Sequence, residues 1–150
     1  MQKIILIAGP TGSGKSEIAL RLAKKINGEI INADSMQVYK EIKILSARPE
    51  SYSNISHYLY GNISVKNNFS AGEWLKKVKL NLNKIIKKKK QPIFVGGTGL
   101  YFKLLTEGIS NIPKIPDSIR TKARKLNAKL GNDKFYNLLI KLDPLINNRI

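Results

Sequence analysis

The octapeptide Gly9-Pro10-Thr11-Gly12-Ser13-Gly14-Lys15-Ser16 restricts the folds open to this chain more than any other segment. It follows the apolar run Ile4-Ile5-Leu6-Ile7-Ala8 and precedes a stretch in which Ile18, Ala19, Leu22, Ala23 and Ile26 recur at helical spacing. A glycine-rich turn between a buried strand and a helix N-terminus is a P-loop in its expected setting. Successive backbone N–H groups converge there on one anion, Lys15 adds a point charge, and the Ser16 hydroxyl is the candidate ligand for Mg²⁺. The segment is built to hold a diphosphate-like group. Which phosphate compound it holds is not written in the loop.

The rest of the chain continues the alternation. Gly28 stands where a helix C-cap belongs, and Glu29-Ile30-Ile31-Asn32 reads as a second strand. That strand delivers Ala33-Asp34-Ser35 to the carboxyl end of the sheet, where open α/β folds place their ligands. From Met36 to Asn68 there is no sustained periodicity, and only short elements are expected. Ser70-Ala71-Gly72-Glu73 has the form of a capping box, opening a helix with Trp74, Val78, Leu82 and Ile85 on one face. The run Lys87-Lys88-Lys89-Lys90 reads as a solvated helix end that suits the helix dipole, and Ile93-Phe94-Val95 as the next strand. Gly96-Gly97-Thr98-Gly99 is then a second glycine-rich strand-to-helix turn, followed by a helix from Leu100 to a stop at Gly108.

A Pro-bounded linker, Ile112 to Pro116, precedes helix-like stretches at 118–130 and 133–142, separated by Gly131. The expected fold is therefore α/β: a P-loop NTPase-like parallel sheet with helices on both faces, followed by a mostly helical C-terminal stretch. Residues 1–111 form the core in this reading, and 112–150 a helical segment that begins an incomplete C-terminal region.

Composition narrows the function. Without cysteine there is no disulfide framework and no thiolate metal site, and the lone His57 excludes multi-histidine zinc chemistry. Met1-Gln2-Lys3 and the short apolar run after it resemble neither a signal peptide nor a membrane span, so a soluble, cytoplasmic protein is expected. The formal net charge of +17 suits a polyanionic partner, but the joint richness in Lys, Ile and Asn is also what A+T-rich coding imposes. Charge alone leaves nucleic-acid binding undecided. A P-loop kinase would present the same loop and an acid after the second strand, so the residues by themselves leave that alternative open.

The order and spacing of Gly9–Ser16, then Ala33-Asp34-Ser35-Met36-Gln37-Val38-Tyr39, then Val95-Gly96-Gly97-Thr98-Gly99-Leu100-Tyr101-Phe102 resemble the tRNA dimethylallyltransferases, the last two motifs being particular to that family. Pro113, Ile119-Arg120 and Asp143-Pro144 also fall where the family has comparable residues. The resemblance implies transfer of a dimethylallyl group from its diphosphate to the exocyclic amine of the adenosine 3′ of the anticodon, with Mg²⁺ as cofactor. The P-loop, Lys15 included, then grips a leaving pyrophosphate. Asp34 resembles the family's general base, the plainer reading being a carboxylate that caps a short helix near Ser35. Ser35, Met36 and Gln37 match positions that contact the flipped-out adenosine, although Met36 replaces a more usual small or basic residue.

Thr98 resembles a residue of the channel where donor and acceptor meet, against the plainer reading of a threonine that satisfies the turn. Arg120 resembles a tRNA-contacting position. The run Ile44-Leu45-Ser46-Ala47-Arg48-Pro49 stands where the family has a Gly-Thr-Ala-Lys-Pro type sequence. Family members also continue past the equivalent of Ile150. The resemblance thus implies a shortened member: tRNA and dimethylallyl diphosphate are the expected partners, a monomer the expected state, with room for a complementing C-terminal polypeptide. A non-catalytic basic domain that binds tRNA is the alternative from a different class.

Overall fold

Ile5–Ala8 forms the first strand, β1, of a four-stranded parallel sheet in the computed structural model, which describes residues 3–49, 54–109 and 115–148. The others are β2 (Gly28–Asn32), β3 (His57–Tyr58) and β4 (Gln91–Gly96), and their order is β1-β4-β2-β3. Register follows from the hydrophobic pattern: Ile5 pairs with Ile93, and Ile30 pairs with both Ile93 and His57. β2 is buried along its whole length and β4 nearly so, as strands covered on both faces must be, whereas the edge strand β1 alternates between half-buried and exposed residues.

Helices cover both faces. Ile30, Ile93 and Val95 point to one side, where Ala19 and Ala23 of α1 (Lys15–Ile26) pack on them. Ile31 and Phe94 point to the other, against Trp74, Val78 and Ile85 of α2 (Ala71–Lys87) and Tyr101 of α3 (Gly99–Thr106). One-residue alternation along β2 and β4 thus sorts two cores onto opposite faces. Trp74 is fully buried, stacks on Tyr101 with ring centroids 4.0 Å apart, and donates its indole N–H to the Asn32 carbonyl at 3.0 Å. The capping box at the start of α2 is present: Ser70 Oγ accepts the Glu73 N–H, and the Glu73 carboxylate accepts the Ser70 N–H.

Two local expectations are corrected. The residue that ends α1 in the left-handed region is Asn27 (φ 53°); Gly28 already belongs to β2, where a Cβ would sit 2.7 Å from Ile93 Cδ1 and 3.1 Å from Ala23 Cα. Gly28 is thus a close-packing glycine, not a cap. The lysine run is only partly solvated: Lys88 and Lys90 both reach the buried carboxylate of Glu29 at 3.2 Å, and the Tyr58 hydroxyl donates to it at 2.7 Å. Burial alone would raise the Glu29 pKa, yet these hydrogen bonds outweigh it and hold the carboxyl below its usual value. As expected, the aperiodic stretch holds only short elements among its described residues: the two-residue β3 lies there, and the stretch is fixed by the Lys40 N–H on the Ile63 carbonyl, the Ile63 N–H on the Val38 carbonyl and the Gly61 N–H on the Gln37 carbonyl.

Two compact units divide the chain, Met1–Ile109 and Ser110–Ile150. The second is helical: α4 (Asp117–Leu130) and α5 (Asn132–Leu142) meet at Gly131, whose φ of 75° breaks the helix, and a 3₁₀ turn follows at Pro144–Asn148. Neither α4 nor α5 contains a fully buried residue. Residues 112–114 of the expected linker lie outside the described residues. Among the described residues no helix is long and apolar enough to cross a membrane.

Candidate functional site

The P-loop runs from the end of β1 into α1 with Gly12 at φ 81° and Gly14 at φ 77°. Nothing lies within 4 Å of where a Cβ would stand at either position, so it is backbone conformation, not crowding, that calls for glycine. Gly14 is the N-cap of α1 and supplies no side-chain acceptor, so the first N–H groups of this helix have no capping side chain. Thr11 and Ser13 are exposed along the loop. Lys15 is only 8% exposed, and its ammonium donates to the Pro10 carbonyl at 2.9 Å, which folds the side chain back across the loop. Ser16, half-buried, occupies the first turn of α1.

The other two motifs are tied to this loop by backbone hydrogen bonds. The Gly9 N–H donates to the Gly96 carbonyl at 3.2 Å, the Ala33 N–H to the Val95 carbonyl at 2.8 Å, and the Thr98 N–H to the Ala33 carbonyl at 3.2 Å. A Cβ on Gly96 would overlap the Ala33 carbonyl group and approach the Asp34 nitrogen to 2.7 Å. Only glycine lets the ends of β2 and β4 close there. A Cβ on Gly97 would lie 3.1 Å from the Gly9 carbonyl oxygen and 3.5 Å from Asp34 Oδ2, so one point on the Gly97 backbone borders both the entry to the P-loop and the carboxylate.

Asp34 is half-buried, and its two oxygens have different surroundings. Oδ1 accepts the Met36 N–H at 2.9 Å and the Gln37 N–H at 3.4 Å; no hydrogen bond from the described residues reaches Oδ2. The capping expected of this carboxylate is thus seen in part, on a turn and not on a helix. The Thr98 hydroxyl does not cap α3; it accepts the Ser35 N–H at 2.8 Å and donates to Ser35 Oγ at 3.2 Å. Met36 projects outward, 53% exposed, whereas the buried Gln37 donates its side-chain N–H groups to the carbonyls of Ser46 and Ala47. Arg120 is exposed on α4, in the second unit.

Several residues of this neighbourhood carry no sequence motif. Asn32, fully buried at the end of β2, binds both the N–H and the carbonyl of Asp34. Tyr60 and Tyr101 have their hydroxyl pKa values raised, chiefly by burial; the charge of Asp34 adds to both, and Tyr101, with Tyr39 also contributing, is pushed up to about 12. Arg48, in the run that departs from the family pattern, donates to the Tyr39 carbonyl at 2.8 Å and lies over Gly61, whose φ of 57° and lack of a Cβ make room for the guanidinium. Only an excess of polar and aromatic residues around 32–61 hints at these roles.

Among the described residues no three of His, Asp and Glu cluster as a metal-binding group. A single hydroxyl such as Ser16 is nevertheless the kind of ligand that Mg²⁺ accepts when phosphate oxygens and water complete its octahedron. The donor set fits that ion and not a protein-caged metal.

The chain is similar to known proteins over most or all of its length. The family model described as IPP transferase matches residues 37–150. A tRNA dimethylallyltransferase of Pelagibacter ubique is 55% identical over 149 residues, covering 98% of this chain and 48% of its relative. Its counterpart in Ehrlichia chaffeensis is 44% identical, over 97% of this chain and 48% of that one. Among solved structures, a eukaryotic dimethylallyltransferase acting on tRNA superposes with a TM-score of 0.82 at 30% identity, over the whole of this chain and 38% of its own. The tRNA isopentenylpyrophosphate transferase of Bacillus halodurans gives 0.72 at 27% identity, over all of this chain and 50% of its own. The chain spans about half the length of the curated relatives it matches and, on a match that takes in the Gly96–Gly99 turn and both C-terminal helices, it belongs to the IPP transferase family.

Proposed function

We propose that the protein prenylates tRNA, moving a dimethylallyl group from dimethylallyl diphosphate to N6 of the adenosine 3′ of the anticodon and releasing pyrophosphate. The observation that carries this reading is the hydrogen-bonded closure of the P-loop, Asp34 and the Gly96–Gly99 turn at one end of the sheet. In the reaction the allylic carbon–oxygen bond breaks as the N6–carbon bond forms, and the N6 proton leaves. Backbone N–H groups from Thr11 to Ser16 and the Lys15 ammonium bind the diphosphate, so that charge growing on the bridging oxygen meets donors already in place. Gly9, Pro10, Gly12, Ser13 and Gly14 supply the loop that holds those donors, and Ser16 is the residue that would hold Mg²⁺. When bound, that ion contributes further charge neutralisation on the leaving group.

Asp34 Oδ2, which lies toward Gly97 and which no hydrogen bond from the described residues reaches, accepts the N6 proton, while Oδ1 keeps its two N–H bonds and with them the orientation of the carboxylate. Thr98 keeps Ser35 and the Asp34 turn against the glycine-rich turn at the meeting place of the substrates. Ser35, Met36 and Arg120 contribute contacts to tRNA, Met36 by its exposed side chain and Arg120 as a phosphate fork, whereas Gln37, expected to join them, is buried with its amide on Ser46 and Ala47 and holds the loop instead.

The experiment is direct. Purified chain is incubated with dimethylallyl diphosphate, Mg²⁺ and unmodified tRNA, and digested nucleosides are examined by mass spectrometry for dimethylallyladenosine. Product supports the proposal. Salt-sensitive tRNA binding without product favours the non-catalytic tRNA-binding domain. ATP consumption with phosphoryl transfer in a parallel reaction overturns both in favour of a kinase.

A further inference from the structure

Two of the three side-chain hydrogen bonds of Asn32 converge on a single neighbour, Asp34. Asn32 is fully buried at the carboxyl end of β2. Its Oδ1 accepts the Asp34 N–H at 2.9 Å, and its Nδ2 donates to the Asp34 carbonyl at 2.9 Å and to the Leu59 carbonyl at 3.0 Å. Its own carbonyl accepts the Trp74 indole N–H. Both amide hydrogens and the amide oxygen are therefore engaged, and two of these three bonds clamp the backbone on either side of one side chain.

We infer that Asn32 is a positioning residue for the Asp34 carboxylate. The physical chain is short. With its N–H and carbonyl both held, Asp34 is confined to one backbone conformation, and that conformation puts Oδ1 within reach of the Met36 and Gln37 N–H groups. Oδ1 is thereby occupied and Oδ2 is left toward Gly97. The third bond, to Leu59, anchors the clamp to the chain leaving β3, and the Trp74 bond anchors it to α2, so the orientation of the carboxylate is set by elements that are far apart in sequence. A buried asparagine meeting all its hydrogen-bonding needs is costly to replace, which is what makes the clamp rigid. The inference rests on the proposed role of Asp34 for its catalytic meaning; the geometric claim stands separately.

The test reads that geometry without turnover. In isotope-labelled chain, three-bond couplings to Asp34 Cγ report its χ1 angle, and amide exchange reports the Met36 N–H bond. The wild type is expected to show one χ1 rotamer. Asn32→Ser keeps an acceptor two residues before Asp34 but loses the donors, and Asn32→Leu loses both. Expected are rotamer-averaged couplings in Asn32→Leu, intermediate ones in Asn32→Ser, and exchange at Met36 faster by about tenfold in Asn32→Leu. Trp74 fluorescence and unchanged Gly12 and Gly14 resonances certify that the fold and P-loop persist. If Asn32→Leu does not fold, Asn32→Ser alone decides. Folded variants with Asp34 couplings and Met36 exchange like wild type overturn the inference. A normal prenylation rate in Asp34→Asn, by contrast, overturns the base role of Asp34 and leaves the clamp standing.

Discussion

Thr98→Val separates the structural work of one hydroxyl from its shape. Threonine and valine are nearly the same size, so the substitution leaves packing at the start of α3 unchanged and removes one oxygen. That oxygen accepts the Ser35 N–H at 2.8 Å and donates to Ser35 Oγ at 3.2 Å, while the backbone bond from the Thr98 N–H to Ala33 survives. Each hydrogen bond contributes ~0.5–1.5 kcal/mol net, and a half-buried donor left without an acceptor costs at the upper end of that range. The expected loss is therefore ~1–2.5 kcal/mol, and the melting temperature of a unit of about 100 residues should fall by about 4–8 °C per kcal/mol. Thr98→Ser keeps the oxygen and should lose less than ~0.5 kcal/mol. Trp74, the one tryptophan of the chain, is buried in the same sheet core, so its fluorescence during urea unfolding measures the unit that contains the bond. Thr98→Val with a midpoint equal to wild type, or Thr98→Ser as unstable as Thr98→Val, would refute the reasoning.

Other substitutions have equally definite outcomes. Gly96→Ala should destabilise by ~3 kcal/mol or more in the same urea assay, because its Cβ overlaps the Ala33 carbonyl, whereas Gly99→Ala, with open space around it, should be neutral or slightly stabilising. Glu29→Gln should cost ~1–3 kcal/mol at neutral pH through its charge-assisted bonds. Since the folded pKa of Glu29 is lowered from 4.5, that stabilisation is complete above the unfolded value and is lost as pH falls through the folded one, so wild type and variant should converge in acid unfolding curves below pH 4.5. Lys15→Ala should weaken pyrophosphate binding by at least about tenfold by calorimetry, the loss of one charge-assisted contact. Asp34→Asn should lower prenyl transfer by about a hundredfold or more while tRNA affinity stays within a factor of about two.

Much of the core was legible because each piece obeyed a local rule. β1 and β4 are apolar runs that end in glycine-rich turns, α1 and α2 keep helical spacing, and the Ser70–Glu73 box marks its helix start by itself. The errors have local causes too. Asn27 and Gly28 both tolerate the left-handed region, and only the approach of Ile93 shows that the glycine serves packing. Four consecutive lysines look like a solvated end, since the carboxylate that two of them share lies about 60 residues earlier in the chain. The stretch from Met36 to Asn68 had no period to read because side chains bonded to backbone hold it, such as Arg48 on Tyr39 and Gln37 on Ser46 and Ala47. At the site, loop, acid and threonine were visible as motifs. Asn32 was not, since a polar residue at a strand terminus is ordinary until its partners are seen.

The bond between the Lys15 ammonium and the Pro10 carbonyl gives the loop a resting contact of its own. An anion bound there as proposed would not have to freeze a wandering four-carbon arm; it would displace a neutral oxygen from a cation already held in place, trading a weaker acceptor for a charged one. On its departure the carbonyl would take the ammonium back. In the proposed reaction the cradle would thus keep its form between turnovers, and affinity would go to recognising charge instead of to assembling the receptor.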